Sequence, residues 1–241
     1  MDKGLSMNRM KPNISSSEIE KFNRFSTDWW DATGRMKSLH DINPLRLEYI
    51  MQITDLKGRR VLDVGCGGGI LTEQIAKQGA VTMGIDASPD MTAIALSHAK
   101  KSKLDIQYIN TDIEHITLYT HAGFDVILCM ELLEHVPDYE SVIRACKKLL
   151  NPKGVIIFAT INRNLLSYLL AVVIAEYVLG LLPRGTHDFA SLITPAELAH
   201  ACFGAGLKNF DITGFSYNPL NRKYYFCKNT MVNYMAGFKP A

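Results

Sequence analysis

From residue 60 onward, short runs of hydrophobic residues alternate with longer segments whose apolar positions recur at helical intervals. The runs predict buried β-strands, and the periodic segments predict helices. Strands that alternate with helices of this length are typical of a parallel sheet covered on both faces. The predicted strands are Arg60–Val64, Ala80–Asp86, Ile106–Asn110, Phe124–Met130 and Val155–Thr160, and the predicted helices are Leu71–Gln78, Pro89–Lys101 and Asp138–Leu150.

An insertion interrupts this alternation after the fifth strand. The pattern then resumes with a helix over Pro195–Phe203 and two late strands over Lys208–Phe215 and Lys223–Lys228. We therefore expect an α/β, Rossmann-like fold with a mostly parallel seven-stranded sheet and an apolar helical insertion. Residues 15–241 are predicted to form a single domain that follows an unstructured tail of residues 1–14.

A helical cap is predicted over residues 15–45, before the first strand. The segment SSSEIEKFNRFSTDWWD predicts one helix, because Ser15 and Glu18 have the spacing of a capping box and apolar residues recur at helical intervals. That apolar face should pack on the rest of the domain. The paired Trp29 and Trp30 either join this packing or line a site for a flat ligand.

The composition limits the class of protein. The chain has 241 residues, of which 47% are hydrophobic and 21% charged, so it can bury a core and is not a disordered protein. A net charge of +2 argues against nucleic acid as the main partner. The charge is uneven, however, because residues 61–160 hold 8 basic and 12 acidic residues and carry −4.

The cysteines and the N-terminus indicate a cytoplasmic protein. Five cysteines are widely spread and no pair has CxxC spacing, which favours reduced thiols over a disulfide framework or a cysteine zinc site. The polar N-terminal segment contains no apolar core of the kind found in signal peptides.

The sharpest motif is a glycine-rich turn in VLDVGCGGGILTEQIAKQGA. A dinucleotide fingerprint would require glycine where Ile70 stands, so this G-x-G-x-G turn after Asp63 is instead typical of S-adenosylmethionine-dependent methyltransferases. Acidic residues at the ends of the next two strands support the same class of cofactor, because such side chains can bind the ribose hydroxyls and the adenine amino group. The predicted cofactor-binding residues from this set are Gly65, Gly67, Asp86 and Asp112.

A second polar cluster follows the fourth strand in FDVILCMELLEHVPD. Glu131, Glu134 and His135 have i, i+3, i+4 spacing, so a helical turn would place all three on one face. Two carboxylates and an imidazole can hold a divalent cation such as Mg²⁺. His135 could instead act as a catalytic general base, and a solvated polar turn is the third interpretation.

The insertion, residues 162–193, is unusually apolar. From Leu165 to Leu182 aliphatic residues dominate, and Arg163 and Arg184 flank the run. A membrane span is disfavoured because Glu176 lies near its centre and the chain must return to the same sheet. We expect a lid that faces a membrane or a lipid substrate, with a dimer or core helix as the alternative.

Together these residues resemble the bacterial ubiquinone-biosynthesis O-methyltransferases over about Glu18 to Tyr234. The shared stretches are RFSTDWWD, LHDINPLRLEYI, VLDVGCGGGIL, CMELLEHVPD, ATINRN, PRGTHDF and VNYM. The glycine turn occurs in many methyltransferases, whereas HDINPLRL, E-x-x-E-H and GTHD are particular to this family. Leu165 and Leu166 depart from it, since polar or glycine residues are common there in relatives.

The resemblance implies methyl transfer from S-adenosylmethionine to hydroxyls of a polyprenyl catechol and of demethylubiquinol. By matching positions, Arg46, Gly65, Asp86 and Met130 are implied as cofactor contacts. Eukaryotic relatives use a divalent ion, which favours the metal interpretation of Glu131, Glu134 and His135. The implied partners are the lipid-tailed quinol, the inner face of the membrane as a peripheral surface, and a complex of ubiquinone-biosynthesis enzymes.

Two other functions fit the sequence. One is a methyltransferase for a carbon or nitrogen nucleophile of another small metabolite. The other is a non-catalytic, membrane-associated scaffold that keeps the cofactor fold as a structural module.

Overall fold

The computed structural model describes residues 13–120, 123–168, 189–218, 220–221 and 223–241. Most of the apolar insertion, residues 169–188, and residues 1–12 of the predicted tail lie outside these ranges. The elements follow in the order α1 Ser16–Asn23, α2 Lys37–Ile53, β1 Arg60–Val64, α3 Ile70–Lys77, β2 Val81–Asp86, α4 Pro89–Lys101, β3 Ile106–Asn110, β4 Phe124–Met130, α5 Tyr139–Leu149, β5 Leu150–Ile161, α6 Leu165–Ser167, α7 Pro195–Gly204, β6 Leu207–Asn218, β7 Lys223–Cys227 and β8 Asn233–Pro240.

One eight-stranded sheet organises the described residues, in the order β3-β2-β1-β4-β5-β8-β6-β7. The first five strands are parallel, and β8, β6 and β7 pair antiparallel at one side. The Rossmann-like α/β class is therefore confirmed, but the sheet has one strand more than predicted. The missed strand is β8, whose residues from Tyr234 to Phe238 are all buried and show no alternation of polar and apolar positions.

The sheet is covered on both faces, as a parallel sheet requires. Successive side chains of β4 point in opposite directions: Val126 and Leu128 pack with residues of α2 and α3, whereas Ile127 and Cys129 pack with residues of α5. Both faces of this central strand are therefore core, which explains why its sequence is a continuous apolar run.

The helix starts follow the sequence signals. The Ser88 hydroxyl accepts a hydrogen bond from the Met91 amide at 3.1 Å and caps α4, and Pro89 occupies the first turn. Ser15 caps α1 in the same way, at 3.4 Å from the Glu18 amide. All five cysteines are free thiols.

The N-terminal cap differs from the prediction in three respects. Helix α1 ends at Asn23 and a short 3-10 turn follows, so the segment before Trp30 is not one helix. Helix α2 continues through Pro44 to Ile53, beyond the predicted boundary at residue 45. Asn13, which lies in the predicted unstructured tail, donates hydrogen bonds to Glu114 and to the Asp138 carbonyl at 2.8 Å each.

Candidate active site

The glycine turn between β1 and α3 has a backbone that only glycine adopts readily. Gly65, Gly67 and Gly69 have φ angles of +71°, +53° and +88°. A Cβ atom on Gly67 would lie 2.4 Å from the ring of Trp29, and one on Gly69 would lie 2.4 Å from the Tyr108 hydroxyl. The turn therefore requires glycine both for its conformation and for the close approach of aromatic side chains.

Asp86, at the carboxyl end of β2, is tied directly to this turn. Its Oδ2 accepts a hydrogen bond from the Gly67 amide at 2.9 Å, and its Oδ1 accepts one from the Ser88 amide at 2.8 Å. Burial raises the pKa of the Asp86 carboxyl above its ordinary value. The acidic residue predicted to bind ribose thus lies against the glycine turn, as the motif requires.

A cavity of about 530 Å³ opens over the carboxyl ends of the parallel strands. This volume is within the range of roughly 300–1,000 Å³ typical of small-molecule sites. Every predicted cofactor residue lines the cavity: Arg46, Gly65, Gly67, Asp86, Asp112 and Met130. Asp112 also accepts hydrogen bonds from the backbone amide of His115 at 2.9 Å and pairs with its ring at 2.6 Å.

Arg46 and Glu131 form an ion pair at the cavity wall. The guanidinium, buried on α2, lies 2.6 Å from Glu131 Oε1. Glu131 has a φ of +55°, an unusual conformation for a residue other than glycine. A strained backbone of this kind is common at functional sites.

His135 is held by a residue of the N-terminal helix. Its Nδ1 lies 2.9 Å from Glu18 Oε2, and the ring of Phe22 packs edge-on against the imidazole at 5.1 Å. Burial lowers the pKa of His135, but the Glu18 hydrogen bond and the nearby carboxylates of Glu134 and Glu131 outweigh it and raise the pKa. The bond to His135 also lowers the pKa of Glu18 to about 2.

The structure does not place Glu131, Glu134 and His135 on one helical face, so that prediction is wrong. Only a 3-10 turn, Leu133–His135, forms there. Glu131 faces Arg46, Glu134 accepts a hydrogen bond from the Thr160 hydroxyl at 3.0 Å, and His135 faces Glu18. Across the ranges that the structure describes, no group of three acidic, histidine or cysteine side chains could hold a metal ion. This donor set does not fit a divalent cation, and we derive no step through one.

Helix α1 and the residues after it line the cavity, with Trp29 against Gly67 and Trp30 Nε1 donating to the Gly68 carbonyl at 2.9 Å. Of the two predicted roles for the tryptophans, Trp29 combines both, since it packs in a hydrophobic cluster and lines the cavity. The apolar periodicity of this segment predicted that it docks, but not where. Below the turn, the Thr72 hydroxyl donates to the buried Asp63 carboxylate at 2.6 Å.

The cavity fits a nucleoside cofactor without a pyrophosphate. The turn offers a close glycine backbone, Asp86 offers a carboxylate for the ribose hydroxyls, and the buried Arg46 offers a guanidinium for an amino-acid carboxylate. The fold and this site define an S-adenosylmethionine-dependent methyltransferase.

Comparisons with known proteins agree with this class. Residues 39–212 match the family described as "Methyltransferase domain". The chain is 49% identical to the ubiquinone biosynthesis O-methyltransferase of Pasteurella multocida, covering 94% of this chain and 98% of that protein. It is 47% identical to the protein of the same name from Coxiella burnetii, and the match covers 96% of this chain and 99% of that protein. The chain belongs to the ubiquinone biosynthesis O-methyltransferase family.

Solved structures share the fold at low sequence identity. Magnesium protoporphyrin IX methyltransferase from Synechocystis superimposes with a TM-score of 0.68 at 16% identity, covering 92% of this chain and 95% of that one. A methyltransferase from Thermotoga maritima superimposes with a TM-score of 0.66 at 14% identity. The alignment covers 92% of this chain and 99% of that one.

Buried Asp63 should make stability depend on pH. Burial raises its pKa from 3.8 to about 6, so between these values the folded protein binds a proton that the unfolded chain does not. Relative to Asp63→Asn, the free energy of unfolding of the wild type should fall by about 3 kcal/mol as the pH rises through this window. Urea unfolding of both proteins from about pH 4 to pH 7 measures this difference, and parallel curves would contradict it.

The Glu18–His135 pair should hold α1 over the cofactor. Glu18→Gln removes the charge from this pair, and we expect the dissociation constant for S-adenosylhomocysteine to rise roughly threefold to tenfold. Titration calorimetry measures this dissociation constant. Glu20→Gln, an exposed position on the same helix, is the matched control and should bind like the wild type. Equal affinities of the wild type and both variants would rule out this role of the pair.

Proposed function

We propose that this protein transfers the methyl group of S-adenosylmethionine to phenolic hydroxyls of polyprenyl catechol and demethylubiquinol intermediates in ubiquinone biosynthesis. Relatives of 47–49% identity over nearly the whole chain support the pathway. The observation that carries the proposal is that one cavity joins the glycine turn and Asp86 to Ile161, where the apolar insertion leaves β5. A cofactor at the turn and an acceptor whose tail follows the insertion would meet there.

Residues from four parts of the chain would hold the cofactor. Asp86 would accept hydrogen bonds from the ribose hydroxyls, and Asp112 would face the adenine amino group. Arg46 would bind the methionine carboxylate, because a guanidinium has five donors and can serve this group together with Glu131. Met130 would contribute an apolar contact at the end of β4.

When bound, S-adenosylmethionine supplies an electrophilic methyl group on a sulfonium centre. The chain's contribution is to align the phenolic oxygen with that methyl group and to keep water away, and α1 serves the second purpose by covering the cavity. His135 would accept the phenolic proton as a general base. Glu18 would stabilise the imidazolium that forms, because its carboxylate lies 2.9 Å from Nδ1.

A methyl-transfer assay tests this function. With S-adenosylmethionine and a short-tailed demethylubiquinol or polyprenyl catechol, we expect one methyl group to be added to the phenolic oxygen, identified by mass spectrometry. The matched control acceptor has the same ring and tail but hydrogen in place of the reacting hydroxyl. Binding of S-adenosylhomocysteine without methylation of either phenol would overturn the acceptor assignment while leaving the cofactor class intact.

We also propose peripheral contact of this protein with the inner face of the cytoplasmic membrane through the insertion. In the described ranges, no helix is long and apolar enough to cross a membrane. The insertion's two described ends meet where the rings of Tyr168 and Phe189 pack at 5.3 Å, and Leu165 beside them is 80% exposed. Exposed apolar side chains at both ends support an insertion that rests on lipid.

Charged substitutions at these ends should weaken membrane contact. We expect Leu165→Glu combined with Phe189→Glu to lower the fraction of protein that floats with anionic liposomes, because each glutamate would be costly to bury and is repelled by the surface. Leu118→Glu is the control, since Leu118 is 76% exposed but lies on a turn after β3. Equal flotation of wild type and the double variant would contradict the proposal.

A further inference from the structure

One face of the β6–β7 hairpin carries two cross-strand aromatic pairs. Phe215 lies opposite Phe226, and Tyr217 lies opposite Tyr224. Residues two positions apart on a strand share a face, so all four rings lie on the same side of the hairpin. The tyrosine rings are 5.1 Å apart and tilted by 53°. The hairpin thus forms a small aromatic surface.

The two pairs have different surroundings. Phe215 is buried, and Phe226 packs against the ring of Tyr49 on α2 at 6.3 Å, so the inner pair belongs to the core. Tyr217 and Tyr224 are only half-buried and both line the cavity. Phe215 also lines the cavity, but its burial is accounted for by core packing, whereas the half-buried tyrosine pair keeps exposed surface at the cavity.

The sheet places this tyrosine pair away from the adenosine half of the site. Strands β5 and β6 both run antiparallel to β8, so they point the same way. Tyr217, near the end of β6, therefore lies at the same edge as Ile161 on β5. Asp86 and Asp112 follow β2 and β3, on the far side of β1 and β4. The tyrosines border the half of the cavity that the ribose and adenine contacts do not use.

Tyr224 lies near the Arg46–Glu131 pair, which borders the part of the cavity where the methionine carboxylate would bind. Burial and the carboxylate of Glu131 raise the pKa of Tyr224, while Arg46 opposes this, so both members of the Arg46–Glu131 pair act on the phenol. A tyrosine hydroxyl is ordinarily neutral at neutral pH, so the Tyr224 phenol can both donate and accept hydrogen bonds.

We propose that the Tyr217–Tyr224 pair is the wall against which the aromatic ring of the phenolic acceptor packs, and that it determines selectivity for aromatic acceptors. Aromatic rings stack or pack edge-on at centroid distances of about 4.5–7 Å, and tyrosine combines a flat apolar face with a polar end. That combination matches a catechol ring. This inference rests on the proposed phenolic acceptor and assigns the residues that would contact it.

Two leucine variants, Tyr217→Leu and Tyr224→Leu, test the assignment, because leucine keeps apolar bulk but removes the aromatic face. We expect KM for a short-tailed catechol acceptor to rise about tenfold. The dissociation constant for S-adenosylhomocysteine should stay within about twofold of the wild type. Tyr217→Phe and Tyr224→Phe should recover most of the affinity, because they restore the ring. Tyr225→Leu, on the opposite face of β7 and 48% exposed, is the matched control and should leave both constants unchanged.

Direct binding separates this proposal from the proposed function. Titration calorimetry of the catechol into the enzyme–S-adenosylhomocysteine complex should show weaker catechol binding in both leucine variants than in the wild type. The midpoints of urea unfolding show whether the variants are folded. Unchanged catechol binding in both variants would overturn the tyrosine wall alone, as would an equal loss of S-adenosylhomocysteine binding. A wild type that binds the catechol but never methylates it would overturn the proposed function instead.

Discussion

The site depends on a backbone turn that glycine makes without strain and without a side chain to clash with its neighbours. Gly65, Gly67 and Gly69 all lie in the left-handed region, and the turn lets the chain leave β1 and enter α3 directly. The Gly67 amide is bound to Asp86, so the turn and the end of β2 are fixed relative to each other. Trp29 then packs against Gly67, where any side chain would displace it. The positions of Trp29 and of the Asp86 carboxylate therefore both depend on the conformation of this turn.

Charged groups around the cavity take their partners from distant parts of the chain. Arg46 on α2 binds Glu131 after β4, and Glu18 on α1 binds His135. Breaking a buried ion pair is costly because one charge is left without compensation, so each pair favours the arrangement in which the cap covers the sheet edge. The N-terminal part supplies the base in the first pair and the acid in the second, and the middle of the chain supplies the partner in both.

The sequence predicted the elements whose signals are local. The bounds of β1, β3 and β4, the Ser88 cap and the glycine turn all follow from residues that are neighbours along the chain. The Glu18–His135 pair could not be predicted, because it joins positions 117 residues apart and Glu18 had an equally good local role in a capping box. The expected single face for the E-x-x-E-H motif failed because Glu131 has a positive φ, which no spacing rule reveals.

The antiparallel part of the sheet explains how a cofactor fold gains room for a second substrate. After β5 the chain passes through the insertion and α7 and enters β6 in the same direction as β5, then reverses into β7, and β8 pairs antiparallel between β5 and β6. These strands extend the sheet beyond β5, and Tyr217 and Tyr224 on the β6–β7 hairpin line the cavity. The prediction ended the first late strand at Phe215 and so left Tyr217 outside the sheet. Its alternation with Phe215, mirrored by Tyr224 and Phe226, was the signal that the hairpin extends to the site.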